Sequence, residues 1–154
     1  EMAITQDMII GFCGETDQDH QDTLDLMRYV KYDYGFMFTY SERPGTLAAK
    51  KFEDDVPEEI KKKRLQEVIT LQRKHSFDRL QEHSTKEEEI LIEGTSKKSS
   101  EFWMGRNTQN IVVVFPKAND RGEEYKVGDF VMVQNEECTS ATVIGYSTGY
   151  SSNN

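Results

Sequence analysis

The sequence predicts an α+β chain built of unlike pieces. Residues 1–56 are expected to be the terminal βαβ portion of a larger α/β barrel or sheet, and 57–84 a connecting helix. Residues 85–147 are expected to form a small five-stranded OB-like antiparallel β-barrel, followed by a disordered tail over 148–154. Three observations predict this. An unbroken apolar run near the start ends in two glycines, then leads into a helical pattern and a second, aromatic strand. From Pro57 no Gly or Pro follows until Gly94. Around and beyond that glycine, short β-branched and aromatic runs alternate with turn residues, the pattern of a small barrel.

The stretch Asp7-Met-Ile-Ile-Gly-Phe-Cys-Gly-Glu-Thr16 reads as strand, tight turn and helix start. Its apolar residues are continuous rather than alternating, as in a parallel strand covered on both faces. From Asp17 to about Lys31, His20, Leu24, Met27 and Val30 recur at helical spacing with Leu26 beside them, so an amphipathic helix follows. Tyr34 to Tyr40 is aromatic and strand-like, and it runs into Ser41-Glu-Arg-Pro-Gly-Thr46, where Pro-Gly marks a turn. Strand, helix, strand is one βαβ unit with parallel neighbours. Two strands cannot close a parallel sheet, so the partner strands are expected to lie outside this chain. In such architectures the turns after the strands carry the chemistry, which points to Gly11–Thr16 and Ser41–Thr46; simple shaping of the chain is the other reading of their Gly and Pro residues. The missing strands would leave Ile9, Ile10, Phe36 and Phe38 on an exposed edge, from which self-association or local disorder is expected.

The long helix has a start signal. Pro57 suits the first helical position, and Glu58 and Glu59 place negative charge at the electropositive end. Glu58 with Lys62 and Glu59 with Lys63 are pairs four apart in the favourable orientation. Ile60, Leu65, Val68 and Leu71 share one face, whereas Ile69, Phe77 and Leu80 have drifted onto the next. The two ends are therefore expected to pack against different things, although a curved helix on one core gives the same pattern.

After the helix the period changes. Glu88–Glu93, Phe102–Arg106, Ile111–Phe115, Phe130–Val133 and Ser140–Ile144 read as strands, separated by Gly94, the polar turn Thr95–Ser100, Pro116, the polar loop Lys117–Lys126 and Gly128-Asp129.

Hydrophobic residues make up 36% and charged residues 31%, a polar but globular balance. A net charge of −9 excludes a simple basic nucleic-acid binder. Lys plus Arg against Asp plus Glu number 5 and 12 in residues 1–56, 7 and 5 in 57–84, and 7 and 11 in 85–154, so only the helix is net positive. A polyanion would have to be met by local groups such as Lys61, Lys62, Lys63 and Arg64, or Lys97, Lys98 and Arg106. No apolar run approaches the roughly 18–20 residues of a membrane span and no signal pattern is present, so a cytoplasmic protein is expected. Cys13 and Cys138 have no paired spacing, which argues against a disulfide or a metal knuckle and for small buried residues. His20, His75 and His83 lack ligand spacing and read as solvated or capping groups.

Four pieces in order carry a family resemblance: Asp7 to Thr16 as quoted above, Tyr40-Ser-Glu-Arg-Pro-Gly-Thr46, Val56-Pro-Glu-Glu-Ile60 with Arg64-Leu65, and Gly105-Arg106 with Asn110. Together they resemble the MiaB-type radical SAM methylthiotransferases over nearly the whole chain. The resemblance implies that residues 1–56 are the end of the radical SAM barrel and 85–147 a TRAM domain, an RNA-binding module. Members use S-adenosylmethionine and two 4Fe–4S clusters to add a methylthio group, for the tRNA branch to an N6-isopentenyladenosine beside the anticodon. The family's three-cysteine motif and N-terminal cluster-binding domain are absent from this chain, so alone it is expected to bind no cluster, hold no metal and catalyse nothing. Cys13 stands where the family's strand-end turn usually has Pro.

By analogy, Ile9, Gly11 and Phe12 would line the cofactor's adenine and Glu15 would fix a polar edge, with ordinary core or turn roles as the alternative. Arg43 would meet substrate phosphate, or pair with Glu42 or Asp55. Lys97 and Lys98 are candidate phosphate contacts on a loop. Arg106 and Asn110 bracket Asn107-Thr-Gln109, whose side chains suit base edges or sugar; these residues and the anticodon stem-loop of tRNA are the implied RNA interface. Trp103 suits base stacking or the core. A free-standing RNA-binding or regulatory module, or the branch that modifies a ribosomal-protein aspartate, stays open.

Overall fold

The structure is a computed structural model and describes residues 2–152. The elements run β1 (Thr5–Ile10), α1 (Asp17–Val30), β2 (Tyr34–Thr39), α2 (Leu47–Lys51), α3 (Glu58–His83), β3 (Glu87–Thr95), β4 (Phe102–Arg106), β5 (Val112–Pro116), β6 (Phe130–Cys138) and β7 (Val143–Tyr150). They fall into two compact units, Ile4–Ser76 and the residues from 77 onward, with the division inside α3. Each unit is described by itself.

In the first unit β1 and β2 pair in parallel, Thr5 opposite Tyr34 through Ile10 opposite Thr39, with α1 as the crossover. The expected βαβ unit is present. Alternation along the strands sends Met8, Ile10 and Met37 toward Leu24 and Met27 of α1 and Leu65, Val68 and Leu71 of α3. The opposite face carries Ile9 (62% exposed), Phe36 (62%) and Phe38 (59%). The apolar run is continuous because both faces are apolar, and this chain supplies a cover for one of them.

The N-terminus of α1 is closed by a capping box: Thr16 Oγ1 accepts from Asp19 N at 3.2 Å, and Asp19 Oδ2 accepts from Thr16 N at 2.8 Å. α2, absent from the sequence reading, is a single turn capped by Thr46.

Two expectations about ionisable side chains need correction. Lys61 and Arg64 are not surface cations for a polyanion; they are 1% and 6% exposed. His20, His75 and His83 are not solvated; all are buried, His20 facing Glu67 at 2.8 Å and His83 facing Glu88 at 2.8 Å. Much of α3 docks through polar groups: Gln72 Nε2 donates to the Tyr32 carbonyl at 2.8 Å, and Ser76 Oγ to the Asp33 carbonyl at 2.6 Å. Both cysteines are free and half-buried, Cys138 against the barrel core.

In the second unit the strands close a barrel in the order β3-β4-β5-β7-β6, with β6 returning to β3. One pair departs from the all-antiparallel expectation: β5 and β7 run parallel, Val113 opposite Val143. The long loop after β5 and the β6–β7 hairpin bring β7 back in that direction, so the barrel is mixed. Ile90, Ile92, Val113, Phe115, Val131, Val133 and Val143 point inward, joined by Leu80 from the last turns of α3. The helix thus contributes to a different core at each end, Val68 to one and Leu80 to the other. Gly105 on β4 lies where a Cβ would stand 2.3 Å from the Leu91 carbonyl oxygen, so this crossing admits only glycine.

The tail expectation fails for residues 148–150. β7 continues to Tyr150, and Ser151 N donates to the Phe130 carbonyl at 2.9 Å; Asn153 and Asn154 lie outside the described residues.

Candidate functional site

Both predicted turns sit at the ends of β1 and β2. β1 stops at Ile10, and Gly11 turns away with φ +75°, a conformation that favours glycine. Gly11 N donates to Glu15 Oε2 at 2.8 Å, while Arg64 Nη1 donates to Glu15 Oε1 at 2.8 Å and to the Glu15 carbonyl at 3.0 Å. Arg64 Nη2 reaches Asp17 Oδ1 at 2.7 Å. That hydrogen bond and the guanidinium charge hold the exposed Asp17 carboxyl below its ordinary value, and the Thr16 hydroxyl and amide do the same for Asp19. Gly14 N donates to Asp55 Oδ1 at 2.7 Å.

The end of β2 is held by Lys61. Its Nζ donates to both Asp54 carboxylate oxygens at 2.7 Å, to Glu58 Oε1 at 3.3 Å and to the Tyr40 carbonyl at 3.4 Å. Burial alone would push the Lys61 ammonium toward deprotonation; the Asp54 and Glu58 carboxylates outweigh it, and its pKa lies above the ordinary lysine value. The Phe12 ring meets Tyr40 edge-on at 5.0 Å and Phe52 at 6.1 Å. Burial first, then the Cys13 thiol, raise the Tyr40 phenol, so it stays protonated. Beside these rings a concave pocket of about 350 Å³ is lined by Ile9, Phe38, Tyr40, Ser41, Arg43 and Thr46.

On the barrel, Lys97 and Lys98 are exposed in the turn between β3 and β4, and no ion pair is shown for either among the described residues. Arg106 Nε pairs with Glu93 Oε2 at 3.1 Å, and its Nη1 donates to the carbonyl and the Oδ1 of Asn110, each at 3.0 Å. Asn110 sits at φ +65° and closes the turn after β4. Asn107 is 8% exposed and is spent internally: its Oδ1 accepts from Gln109 N and Ile111 N at 3.0 and 2.9 Å, and its Nδ2 donates to Glu88. Gln109 is half-buried.

Residues 84–146 match the TRAM domain family. The whole chain is similar to curated proteins named tRNA-2-methylthio-N(6)-dimethylallyladenosine synthase. The one from Christiangramia forsetii is 56% identical over 98% of this chain and 30% of its own length. Those from Flavobacterium psychrophilum and Flavobacterium johnsoniae are each 54% identical, over 99% and 100% of this chain and 31% of their own lengths. Along essentially its whole length the chain is similar to these proteins, and residues 84–146 carry a TRAM domain. It spans about 30% of the length of those relatives.

The predicted residues divide by role. Ile9 and Phe12, 62% and 41% exposed, present apolar surface at the strand-end turn. Gly11 is buried, and Glu15 holds the turn together with both carboxylate oxygens engaged. Arg43 lines the pocket, and no pairing with Glu42 or Asp55 is shown for it among the described residues. In the TRAM domain Arg106 and Asn110 are bonded to each other, Asn107 is an internal anchor, and Lys97 and Lys98 stay exposed. Trp103 packs against the core, and the Lys117 ammonium lies 4.4 Å from its ring centre. Sequence reasoning missed Lys117 because a lone lysine after Pro116 carries no pattern. Lys61 was noticed only as charge, and Arg64 as charge and as one residue of the resemblance; the turn glycine and Glu15 they hold give no helical spacing to connect them. Among the described residues no group of three or more His, Cys, Asp or Glu is placed to hold a metal ion, and no helix is long and apolar enough to cross a membrane.

Proposed function

We propose that this chain is the C-terminal part of a tRNA methylthiotransferase that adds a methylthio group to N6-isopentenyladenosine next to the anticodon. In this reading residues 1–56 end the radical SAM barrel, 57–84 connect, and 85–147 are the TRAM domain that binds tRNA. The observation that carries the proposal is identity of 54–56% along essentially the entire chain to proteins named tRNA-2-methylthio-N(6)-dimethylallyladenosine synthase. S-adenosylmethionine and two 4Fe–4S clusters would supply the radical chemistry and the transferred group in the complete cytoplasmic enzyme; the part seen here would carry no cluster.

The residues fit one side of that cofactor. An apolar face of Ile9, Phe36 and Phe38 without a cover of its own, bordered by Phe12, suits a dry wall against an adenine ring and excludes water from reacting groups. Gly11 and Glu15 support that wall as the framework of the turn, and Glu15 is less suited to touch the ligand because Gly11 and Arg64 already occupy it. Arg43, at the pocket rim, suits a phosphate of a nucleotide turned out of its stack.

On the TRAM domain, Lys97 and Lys98 suit phosphate, and at the other end of β4 Arg106, Asn107, Gln109 and Asn110 form the turn in which Arg106 is the residue best placed to exchange an internal partner for RNA. The test is binding of this chain to an unmodified anticodon stem-loop over a salt series. Binding should weaken linearly in log–log form with salt, and Lys97→Ala combined with Lys98→Ala should weaken it about tenfold and flatten the slope, with a smaller loss for Arg106→Ala. No binding at low salt would remove the TRAM domain from tRNA recognition.

A further inference from the structure

The most unusual group in the unit Ile4–Ser76 is Lys61, a lysine 1% exposed on the face of a helix. An ion is a poor choice there for stability alone, because an apolar side chain of similar length would fill the space without losing hydration. Its geometry is directional instead. The methylene stem runs under Gly11, where an added Cβ would stand 2.4 Å from Lys61 Cγ, and the ammonium holds the Tyr40 carbonyl and Asp54. One side chain therefore bears on the backbone at the ends of both strands. Its Nζ also lies 5.4 Å from the centre of the Tyr40 ring, and that ring meets Phe12.

We propose that Lys61 is a positioning residue for the ligand pocket at the strand ends: it fixes Tyr40, and through the edge-on ring contact Phe12, against the adenosyl part of S-adenosylmethionine. This rests on the proposed function above. Lys61 touches no ligand itself; it sets the separation of the two turns and the pose of the two rings. The Asp54–Lys61 pair also ties in the segment whose next residue, Asp55, holds Gly14, so the first turn is anchored at both of its glycines. With the ammonium gone, Tyr40 and Phe12 keep their places only by packing and Asp54 loses its cation, and affinity falls while the barrel of the second unit keeps its own core.

The experiment uses the complete protein and titrates S-adenosylmethionine by calorimetry, without turnover, alongside thermal melting and anticodon stem-loop binding. Lys61→Met is expected to melt near the wild type, to bind S-adenosylmethionine about tenfold more weakly, and to bind the stem-loop as before. Lys61→Arg should recover part of the loss. Phe12→Leu, at a 41% exposed position and so harmless to folding, should weaken the same titration and keeps the test decisive if Lys61→Met fails to fold. Unchanged affinity in a folded Lys61→Met, or in Phe12→Leu, overturns the role of Lys61 and leaves the proposed function standing. A wild-type protein that binds no S-adenosylmethionine overturns both.

Discussion

Phe115→Ala is expected to cost the barrel about 3–5 kcal/mol, enough to unfold a marginal domain. Phe115 is fully buried among Ile90, Ile92, Val113 and Val131, and the close β4–β5 pairing leaves the emptied space no element that can move in. The chain's single tryptophan, Trp103, stands opposite Phe115 and packs on the same core, so its fluorescence reports barrel unfolding directly. A urea titration should show the midpoint collapse in Phe115→Ala. A loss below about 1 kcal/mol would mean that this residue is not central to the core.

Asp54→Asn is the second large effect, and its size relative to Lys61→Met is informative. Asp54 is the nearest counterion of a side chain that is 1% exposed, and the remaining carboxylate, Glu58, is 67% exposed and farther off at 3.3 Å. Leaving the cation buried without its partner is expected to cost about 3–5 kcal/mol, whereas Lys61→Met removes the more deeply buried ion and leaves Asp54, 27% exposed and so still reached by water, and should cost less. Helicity followed by circular dichroism in denaturant separates the two. The pH dependence follows from the raised Lys61 pKa. The pair stabilises fully below the ordinary lysine value and loses its contribution as pH rises through the higher folded value, so wild type and Asp54→Asn should converge in alkali. A deficit independent of pH would place the cost elsewhere.

How much of this was legible in the sequence depends on whether a residue's role is set by near neighbours in the chain. The βαβ unit was readable because Gly11, Gly14 and the Thr16 cap act within a few residues, and the helical spacing of His20, Leu24 and Met27 matches the buried face of α1. The first inward strands of the barrel announced themselves through Ile90, Ile92, Val113 and Phe115. β6 was cut short at Val133 because Gln134 and Asn135 look like a turn, yet Asn135 is 2% exposed and donates to the His83 carbonyl and to Glu88. The last strand was stopped at Ile144 by Gly145 and the Ser/Thr/Gly run after it, yet β7 continues to Tyr150, with Ser147 opposite Val133 and Gly149 opposite Met132. The site followed the same rule. Its turns were visible, but the buried cations that hold them come from α3, where a lysine two positions from Glu59 reads as a solvated face. Partners 49 residues apart, such as Glu15 and Arg64, leave no local trace.

The central claim is tested most directly by expressing the complete gene in bacteria that make N6-isopentenyladenosine in tRNA but lack its methylthio derivative, then analysing the tRNA nucleosides by mass spectrometry. Conversion of that nucleoside to the 2-methylthio form is expected. Unchanged tRNA from cells that contain the folded, cluster-loaded protein would contradict it, and a methylthio group found on a ribosomal-protein aspartate instead would assign the chain to the other branch.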